Sequence, residues 1–371
     1  MRITRLGLLI CAGFASVSAL ASERSSINMA PGVTEISHTV YNLHMLILGI
    51  CTLIGIGVFG TMFYSILRHR KSAGHEAAQF HESTTVEIIW TLIPLLILIG
   101  MAIPATKTLI AMEDTGNSDM TIKITGYQWK WEYEYIDEGI HFFSNLATPR
   151  SEIENQQAKN EHYLLEVDHP IVVPIKKKIR FLLTANDVIH SWWMPALAIK
   201  KDAIPGFINE MWTVIDKPGT YRGQCTELCG KDHGFMPIVL VALEEKDYLN
   251  WVEEQKAAAD SEKNLSSKTF TLAELNNRGE DVYNRNCAAC HQANGEGLPG
   301  VFPSIKGSPV ATGDISEHLK VVMNGRQGTA MQSFAGQLSD VDIASVITYQ
   351  RNAWGNDMGD SLQPAQVAAQ R

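Results

Sequence analysis

The chain has 371 residues, which at ~100–200 residues per domain corresponds to two or three domains. Its formal net charge is −9 and it contains no long basic run, so nucleic acid is excluded as an expected partner. Four of its six cysteines form two close pairs, Cys225/Cys229 and Cys287/Cys290. Short-range pairs of this kind favour a metal site or an attached cofactor over a framework of disulfides.

The first 21 residues are typical of a secretory signal peptide. Two arginines come first, an apolar stretch follows over residues 6–20, and the small-x-small sequence Ala-Leu-Ala ends at Ala21. We therefore expect cleavage after Ala21, so that the mature chain starts near Ser22 and Cys11 takes no part in the chemistry. An uncleaved anchor is the alternative, although the apolar run is short for a membrane span.

Two long apolar segments follow within residues 22–112. Residues 40–67 and 86–111 each exceed the ~20 residues that a helix needs to cross a bilayer, and the spans are predicted at about 42–66 and 87–110. The loop between them carries a basic cluster, Arg68, His69, Arg70, Lys71 and His75. The positive-inside rule puts this loop in the cytoplasm, so the remainder of the chain is expected on the outer side of the membrane. Two buried helices of a soluble core are the alternative.

Residues 113–245 change to a strand pattern. The segments MTIKITGYQWKWEYEY, from residue 120, and KKKIRFLLTAND, from residue 176, alternate and are rich in β-branched and aromatic residues. Pro-Gly, Asn-Asp and glycine turn signals separate such segments. Many short strands with turns between them predict an all-β sandwich or barrel.

The sequence CTELCGKDHGFM, which begins at Cys225, brings together two thiols, an imidazole and a thioether. These are soft ligands that together suit copper, whereas methionine is a poor ligand for zinc. A single blue-copper ion needs one thiolate, so two copper ions bridged by the sulfurs of Cys225 and Cys229 would explain the second. His233 and Met236 are further candidate ligands. An exposed loop with a Cys225–Cys229 disulfide is the alternative.

One more imidazole is needed, and His190 in NDVIHSWWMP offers it. The motifs HSWxxP and CxExCGxxHxxM follow two apolar spans, with GYQWKWEYEY between the spans and the motifs. This arrangement resembles subunit II of the haem–copper cytochrome c oxidases, over residues 35–245. The resemblance implies a cupredoxin domain that carries a dinuclear copper centre.

The resemblance also implies roles for individual residues. It assigns the copper ligands to His190, Cys225, Cys229, His233, Met236 and the backbone carbonyl of Glu227. It places the Glu227 carboxylate on a magnesium ion shared with subunit I. It makes Trp129, the first Trp of Gln-Trp-x-Trp, the residue over the copper site at which electrons enter. A half-buried aromatic of the sandwich is the alternative for Trp129.

Two further positions follow from the same resemblance. Glu87, in VEIIW, corresponds to a glutamate at the cytoplasmic mouth of a proton path. The alternative is local, since Thr84-Thr-Val-Glu87 has the pattern of a capping box at a helix start. Phe207 departs from the family, many members of which have Arg at this place, so the function of that Arg toward the neighbouring subunit is in doubt here.

Helical signals return after the strand region. Residues 246–270 are polar and predict a short helix that runs into a linker. Within the next domain, residues 271–355, Thr271-Leu-Ala-Glu274 forms a capping box that opens a helix through Asn286. The last helix is expected to begin at Ser339 or Asp340. Residues 356–371 form a polar tail that we predict to be disordered.

The sequence CAACH, residues 287–291, is the attachment signal of a c-type haem. Cys287 and Cys290 would bind the haem covalently and His291 would be one axial ligand. A zinc site is disfavoured because no fourth ligand lies nearby. The domain is therefore predicted to be an all-α cytochrome c of class I.

A class I domain also needs an axial ligand on the other face of the haem. Met331, in GTAMQSFAGQLSD, lies just before the last helix and is the predicted distal ligand. Methionine opposite histidine raises the reduction potential of the haem. The alternative is Met323, which lies in a helical pattern and is better explained as a core residue.

The sequence as a whole predicts a multidomain membrane protein with a two-helix transmembrane hairpin, a cupredoxin sandwich and a cytochrome c domain. It resembles the caa-type oxidases, in which the fused cytochrome passes electrons through the copper pair to subunit I for reduction of oxygen to water, coupled to proton pumping. The expected partners are subunits I and III, membrane lipid, and a soluble cytochrome c or cytochrome bc complex as donor. The expected location is the bacterial inner membrane, with both redox domains on the periplasmic side.

Other functions remain open at this stage. A copper-containing nitric oxide reductase subunit would use the same chain of electron carriers for a different acceptor, and a standalone membrane-anchored electron carrier needs no catalytic partner. A nitrous oxide reductase is disfavoured because no second, His-rich copper domain is visible in the sequence. A quinol oxidase subunit II is disfavoured because that class lacks the copper ligands found here.

Overall fold

The computed structural model describes residues 28–74, 79 and 81–371. The predicted signal peptide, with Cys11, lies outside the described residues, as does His75 of the basic loop. The chain divides into two compact units. The first is formed by the N-terminal part through Gly116 with Pro195–Ile199 and Met211–Asp216; the second is formed by Asn117–Met194, Lys200–Glu210 and Lys217–Arg371.

The first unit contains two long apolar helices, α1 (Glu35–Arg68) and α2 (Thr84–Met112). Both are long and apolar enough to cross a membrane, and the most apolar part of each is unburied by protein. Helix α1 begins after a capping box in which Thr34 and Ser37 bond each other's backbone N–H groups. The structure therefore supports the predicted hairpin and not two buried helices of a soluble core.

The predicted capping box at Thr84 is wrong. The N-cap of α2 is Ser83, Thr84 is the first helical residue, and no side chain caps this end. The backbone N–H of Glu87 bonds the Ser83 carbonyl oxygen at 3.0 Å, which is an ordinary helical bond. The start of α2 lies one residue earlier than the pattern indicated, so capping does not explain Glu87.

Residues 120–243 form a sandwich of two five-stranded sheets, in the orders β3-β2-β1-β5-β8 and β4-β10-β9-β6-β7. In the first sheet, β1 is antiparallel to β2 and parallel to β5. In the second, β10 is antiparallel to β9 and parallel to β4. The strands are β1 (Met120–Tyr127), β2 (Lys130–Tyr135), β3 (Ile140–Ser144), β4 (Ile171–Pro174), β5 (Lys178–Ala185), β6 (His190–Met194), β7 (Ile199–Ala203), β8 (Asn209–Val214), β9 (Gly219–Cys225) and β10 (Pro237–Leu243).

Alternation along the strands builds the core of the sandwich, since successive side chains point to opposite faces. Every second residue of β5 is buried, Phe181 and Leu183 completely. Buried aromatics also carry polar groups that join the two sheets. The Tyr135 hydroxyl donates to the Val172 carbonyl oxygen at 2.7 Å, and the Trp192 indole N–H donates to the Tyr133 hydroxyl at 3.2 Å.

A short helix, α3 (Arg150–Ile153), lies between β3 and β4 in the chain. The long helix α4 (Glu245–Leu265) follows the last strand of the sandwich. The predicted short helix before a linker is too short, because α4 has 21 residues. Its first turns pack on the sandwich: Tyr248 is buried and donates to the Glu138 carboxylate at 2.8 Å. Trp251 packs against Tyr135 at 5.3 Å between ring centroids. Aromatic packing therefore holds the first turns of the helix. Its far end is held by Glu262, whose carboxylate accepts hydrogen bonds from Arg278 at 2.5 Å and from Ser339 at 2.7 Å.

The rest of the unit is helical, and α5 begins with the predicted capping box at Thr271 and Glu274. The last long helix is capped by Ser339. Helices α5 and α9 cross at Gly279, where a Cβ atom would lie 2.1 Å from the Ser345 carbonyl oxygen. The helices are α5 (Leu272–Asn286), α6 (Ala288–His291), α7 (Pro309–Thr312), α8 (Ile315–Asn324), α9 (Asp340–Asn352) and α10 (Pro364–Ala368).

The predicted disorder of the C-terminal tail is wrong. Leu362 and Val367 are buried in the same core as α5 and α9, and α10 forms within the tail. The buried guanidinium of Arg351 makes two bonds to the Asp360 carboxylate, at 2.8 and 2.6 Å. A buried charge needs such a partner, so the tail completes this domain although its composition is polar.

Candidate metal centre and haem cavity

The predicted copper ligands meet at the ends of two paired strands of the second sheet. His190 begins β6 and Cys225 ends β9, and the antiparallel pairing of these strands puts Trp192 opposite Cys225. The Cys225 sulfur lies 4.0 Å from His190 Nδ1 and 3.8 Å from the Cys229 sulfur. Among the described residues, His190, Cys225 and Cys229 form a buried group whose ligand atoms all lie within 4.8 Å of one another.

The two thiols are close but not joined. Their sulfurs are 3.8 Å apart, whereas a disulfide bond is about 2.05 Å long, and both cysteines are free and buried. The structure therefore does not show the disulfide that was the alternative for this loop. Two adjacent sulfurs that are not joined to each other leave both cysteines available as metal ligands.

The remaining ligands of the loop take their places around the two sulfurs. His233 Nδ1 lies 3.6 Å from the Cys229 sulfur, and the Glu227 carbonyl oxygen lies 3.4 Å from that of Cys225. Met236 is almost fully buried, and its carbonyl oxygen accepts the Cys225 N–H at 3.0 Å. The loop therefore folds back on itself, which brings the His233 ring and the Glu227 carbonyl beside the two sulfurs and holds Met236 next to Cys225 through its backbone.

Asp187 fixes the imidazole of His190. Its Oδ1 lies 2.8 Å from His190 Nε2, which leaves Nδ1 as the ring atom on the side of Cys225. Burial disfavours the charged ring, but the bonds to Asp187 and Cys225 outweigh it and raise the pKa of His190. Strand β1 passes very near the ring, because a Cβ at Gly126 would lie 2.8 Å from its Cδ2 atom.

The electrostatics of the sulfur pair favour one thiolate. A hydrogen bond from Cys229 to the Cys225 sulfur is the largest cause that lowers the pKa of Cys225, and it outweighs the effect of burial. The same bond raises the pKa of the Cys229 thiol. A thiolate is the metal-binding form of cysteine, so a metal that uses both sulfurs must displace the proton that the two thiols share.

The loop between β1 and β2 connects directly to this centre. The side-chain amide of Gln128 and the indole N–H of Trp129 both donate to the Cys229 carbonyl oxygen, at 2.8 and 3.2 Å. The Gln128 backbone N–H donates to Asp187 Oδ2 at 2.7 Å. Trp129 is half-buried, and its indole contacts the metal-binding loop through this bond. Gln128 and Asp187 were not identified from the sequence.

A large cavity of about 1400 Å³, lined by residues of both the helical domain and the sandwich, contains the predicted haem ligands. Cys287, Cys290, His291 and Met331 all line it. His291 Nδ1 lies 2.8 Å from the Pro303 carbonyl oxygen, so Nδ1–H donates to it and Nε2 remains for a metal. Burial lowers the pKa of His291, which keeps the ring neutral as a ligand must be.

Two cysteines and a methionine complete the fit to haem. Both thiols are free, and burial raises the pKa of Cys287 to about 12 and also raises that of Cys290. Met331 is partly buried at the cavity wall, whereas Met323 is 5% exposed and belongs to the hydrophobic core. The geometry thus agrees with the choice of Met331 over Met323.

The cavity wall contains two polar residues that the sequence analysis missed. His318 is buried, its Nε2 lies 2.8 Å from Gln350 Oε1, and its Nδ1 has no hydrogen-bond partner in the part of the chain that the structure describes. Lys130 is also buried, on β2. In the sequence, His318 fits the pattern of an amphipathic helix, and Lys130 fits a charged position of a strand. Neither residue therefore stood out as a candidate for a functional site.

Two family-derived positions take no part in the described contacts of either site. Glu87 is exposed in the first turn of α2. Phe207, which replaces a common arginine, is 57% exposed in the turn between β7 and β8. The described contacts give neither residue a role in the metal centre or the cavity.

Three family models match the chain. Residues 22–108 match "Cytochrome C oxidase subunit II, transmembrane domain", and residues 120–243 match "Cytochrome C oxidase subunit II, periplasmic domain". Residues 274–349 match "Cytochrome C oxidase, cbb3-type, subunit III". The three matches follow the same order as the hairpin, the sandwich and the helical domain.

Relatives with curated names agree with these matches. The chain is 38% identical over 258 residues to "Probable cytochrome c oxidase subunit 2" of Rickettsia felis. This match covers 69% of this chain and 81% of that protein. It is 39% identical over 238 residues to "Cytochrome c oxidase subunit 2" of Cyanidium caldarium, covering 63% of this chain and 92% of that protein. The crystal structure of the periplasmic domain of subunit II from Bradyrhizobium japonicum is 43% identical, covers 39% of this chain and 98% of that one, and has a TM-score of 0.35.

Proposed function

Because the chain belongs to the cytochrome c oxidase subunit II family, we propose that it accepts electrons for a terminal respiratory oxidase through its own haem c and a dinuclear copper centre. The family accounts for a copper centre in the sandwich, and the cytochrome c domain accounts for a haem c. One observation carries the finer proposal: two unjoined sulfurs lie 3.8 Å apart, each beside an imidazole. A single copper ion would leave one of these thiolates without a role.

Five side chains and one carbonyl would hold the copper pair. They are His190, Cys225, Cys229, His233, Met236 and the Glu227 carbonyl oxygen. When bound, the two ions would supply one-electron transfer with the charge shared between them. Burial of both sulfurs excludes water from the bridging positions, and Asp187 holds the His190 ring with Nδ1 inward. The protein thus fixes the ligand geometry, which limits rearrangement when an electron arrives or leaves.

Four residues of the helical domain would hold the haem. Cys287 and Cys290 are placed to attach it, His291 is placed to ligate through Nε2, and Met331 is the proposed ligand on the opposite face. The hydrogen bond from His291 Nδ1 to Pro303 fixes the ring and makes Nε2 more basic. A thioether opposite the histidine raises the potential of the haem, as suits a carrier that delivers electrons to oxygen.

The wider assembly completes the proposal. The two apolar helices would anchor the chain in a bacterial inner membrane, with both redox domains on the periplasmic side. Electrons would come from a soluble cytochrome c or a cytochrome bc complex, pass through the haem c to the copper pair near Trp129, and continue to the haem–copper site of subunit I, where oxygen reduction is coupled to proton pumping. Subunit III would be a further partner, the Glu227 carboxylate would share a magnesium ion with subunit I, and Glu87 would lie at a proton path.

Metal analysis of the purified native complex tests this function. We expect two copper ions and one covalent haem c per chain, and an EPR signal in which one unpaired electron is shared by two copper nuclei. A co-purifying multi-span subunit that takes up oxygen would support the oxidase. A single copper ion per chain, a Cys225–Cys229 disulfide, or a complex that reduces nitric oxide and not oxygen would contradict it.

A further inference from the structure

The haem cavity is not formed by the helical domain alone. On one side it is lined by residues of the sandwich, among them Trp129 and Lys130 from the β1–β2 turn and Lys231 from the metal-binding loop. On the other sides it is lined by the attachment motif and α8. The part of the haem domain that carries the two attachment cysteines therefore faces the copper domain.

Lys130 is the most buried charged group of this contact. Its side chain is on the sandwich, but its ammonium donates to Asn286 Oδ1 of the helical domain at 3.0 Å. The same ammonium lies 4.6 Å from the ring centroid of Phe143 and 5.4 Å from that of Phe334, which belong to the two different domains. Attraction between a cation and aromatic faces is strongest where water is excluded.

Asn286 is the last residue of α5 and immediately precedes Cys287. A bond from Lys130 to Asn286 thus fixes the chain one residue before the first haem attachment point. Burial lowers the pKa of Lys130 to about 8, which shows how thoroughly this lysine is removed from water. A buried ammonium without its partners is unfavourable by several kcal/mol in order of magnitude, so this position is costly unless the two domains remain in contact.

A second lysine makes a similar bond from the metal-binding loop. Lys231 lies between Cys229 and His233, and its ammonium donates to the Ala289 carbonyl oxygen at 3.1 Å. Ala289 lies between the two attachment cysteines. The loop that would hold copper and the motif that would hold haem are therefore joined by a direct hydrogen bond.

The β1–β2 turn links both centres through adjacent residues. Trp129 donates to the Cys229 carbonyl oxygen on the copper side, and Lys130 bonds Asn286 on the haem side. A haem attached at Cys287 and Cys290 would therefore have only this turn and the metal-binding loop between its attachment points and the proposed copper ligands. The length and rigidity of this path depend on the contact between the domains.

We propose that Lys130 and Lys231 are positioning residues that lock the haem domain of this chain onto the copper domain, so that it occupies the surface at Trp129. The inference rests on the proposed function, since it assumes that both metal centres are loaded. It adds which residues hold the two electron carriers together, through the bonds to Asn286 and Ala289.

Substitutions on both sides of the contact test this inference in the full oxidase complex. Lys130→Met and Asn286→Ala each remove one side of the buried bond, and Lys231→Met removes the second bond. The matched control is Lys123→Met, on the neighbouring strand β1, where the lysine pairs with Glu134 at the surface. The readouts are amide hydrogen exchange in residues 128–130 and 286–291 and the rate of electron transfer from photoreduced haem to copper.

We expect about tenfold faster exchange and about tenfold slower transfer in Lys130→Met and Asn286→Ala, since one bond to a charged group is lost. Lys231→Met is expected to show a smaller change, because this lysine is exposed. The double variant Lys130→Met/Asn286→Leu should recover part of the exchange protection, because it leaves neither polar group unpaired. Lys123→Met should behave as the unmodified complex.

Metal content separates this inference from the proposed function. If the unmodified complex lacks two copper ions or the haem, the proposed function fails. If it contains both, and the lysine and asparagine variants exchange and transfer electrons as Lys123→Met does, the docking contact alone is refuted. A second outcome would also overturn it. In this outcome, added cytochrome c reduces the copper directly, and the rate is the same in the unmodified complex and in Lys130→Met.

Discussion

At the residue scale, the metal centre depends on side chains that carry no metal. Asp187 uses both carboxylate oxygens, one toward His190 and the other for the Gln128 backbone N–H. One carboxylate therefore orients a copper ligand and holds the turn that bears Trp129. Residues that hydrogen-bond a metal ligand matter for metal affinity, because they fix the orientation of the ligand's imidazole ring.

Asp187→Asn tests this orientation. The amide keeps the shape but removes the charge that holds His190, so we expect copper affinity to fall by about tenfold to a hundredfold. Competition with a copper chelator measures it. Asp137→Asn, in the exposed turn after β2, is the control, since the Asp137 carboxylate accepts a long bond of 3.3 Å from the Thr121 backbone N–H and does not contact His190. Equal affinity in the two variants would show that Asp187 does not position the ligand.

The buried His318 predicts an acid-sensitive haem domain. Burial lowers its pKa to about 4, with a smaller effect of Arg351, while Gln350 and Asp360 oppose the shift. Because its folded pKa is depressed below the ordinary value near 6.5, the unfolded chain binds the extra proton first. Its contribution to stability is therefore present above about pH 6.5 and is lost as the pH falls toward 4.

Chemical unfolding of the full chain, followed through the haem absorption, measures this loss. Between about pH 7 and pH 5 the free energy of unfolding should fall by roughly 2 kcal/mol through His318. In His318→Gln the fall should be smaller by that amount, because glutamine does not titrate. An unchanged pH dependence in the variant would assign the acid sensitivity to other groups.

At the element scale, the helices are placed by close contacts and not by propensity. Helix α5 meets α9 at a glycine, where there is no room for a methyl group beside the Ser345 carbonyl. Helix α4 is stabilised by Tyr248 and Trp251, which pack on the sandwich. In both cases a partner element decides where the helix lies and how far it extends.

Gly279→Ala tests the crossing of α5 and α9. The added methyl would lie 2.1 Å from backbone that cannot move alone, so the helices must separate. We expect a loss of about 1–3 kcal/mol in stability of the haem domain, as for other overpacked cores. Gly336→Ala, where nothing lies within 4 Å of the new methyl, is the control in a thermal unfolding experiment. Equal melting temperatures for the two variants would show that the crossing tolerates a side chain.

At the scale of the whole molecule, the two candidate sites belong to different domains and share no ligand. The copper ligands belong to the sandwich, and the haem residues belong to the helical domain. The domains meet through Lys130 and Lys231, neither of which is a proposed ligand. Each centre should therefore assemble independently, while electron transfer between them should depend on the contact.

Paired variants in the full complex check this independence. Cys287→Ala/Cys290→Ala should abolish covalent haem and leave the copper content and its EPR signal unchanged. Cys229→Ser should remove the shared-electron copper signal and leave the haem content unchanged, because no haem ligand is affected. Loss of copper in the first variant, with the sandwich still folded by circular dichroism, would show that the centres are coupled in assembly.

The sequence by itself determined the features that local chemistry and periodicity carry. Two apolar runs predicted α1 and α2, alternation predicted the sandwich, and Thr271 predicted the start of α5. Ligand identity was readable because Cys, His and Met spacing restricts which metal or cofactor the chain can hold. These signals need no knowledge of distant residues, since each is complete within a short segment.

Only the tertiary structure decided which groups surround those ligands. Asp187 and Gln128 look like turn residues, Lys130 looks like a surface lysine, and the tail with Leu362 looks like a disordered terminus. Each is used through a contact with residues far away in the chain, such as Cys229 for Gln128, Asn286 for Lys130 and Thr348 for Leu362. Burial and pairing depend on what packs against a residue, and a composition or a spacing within one segment does not contain that information.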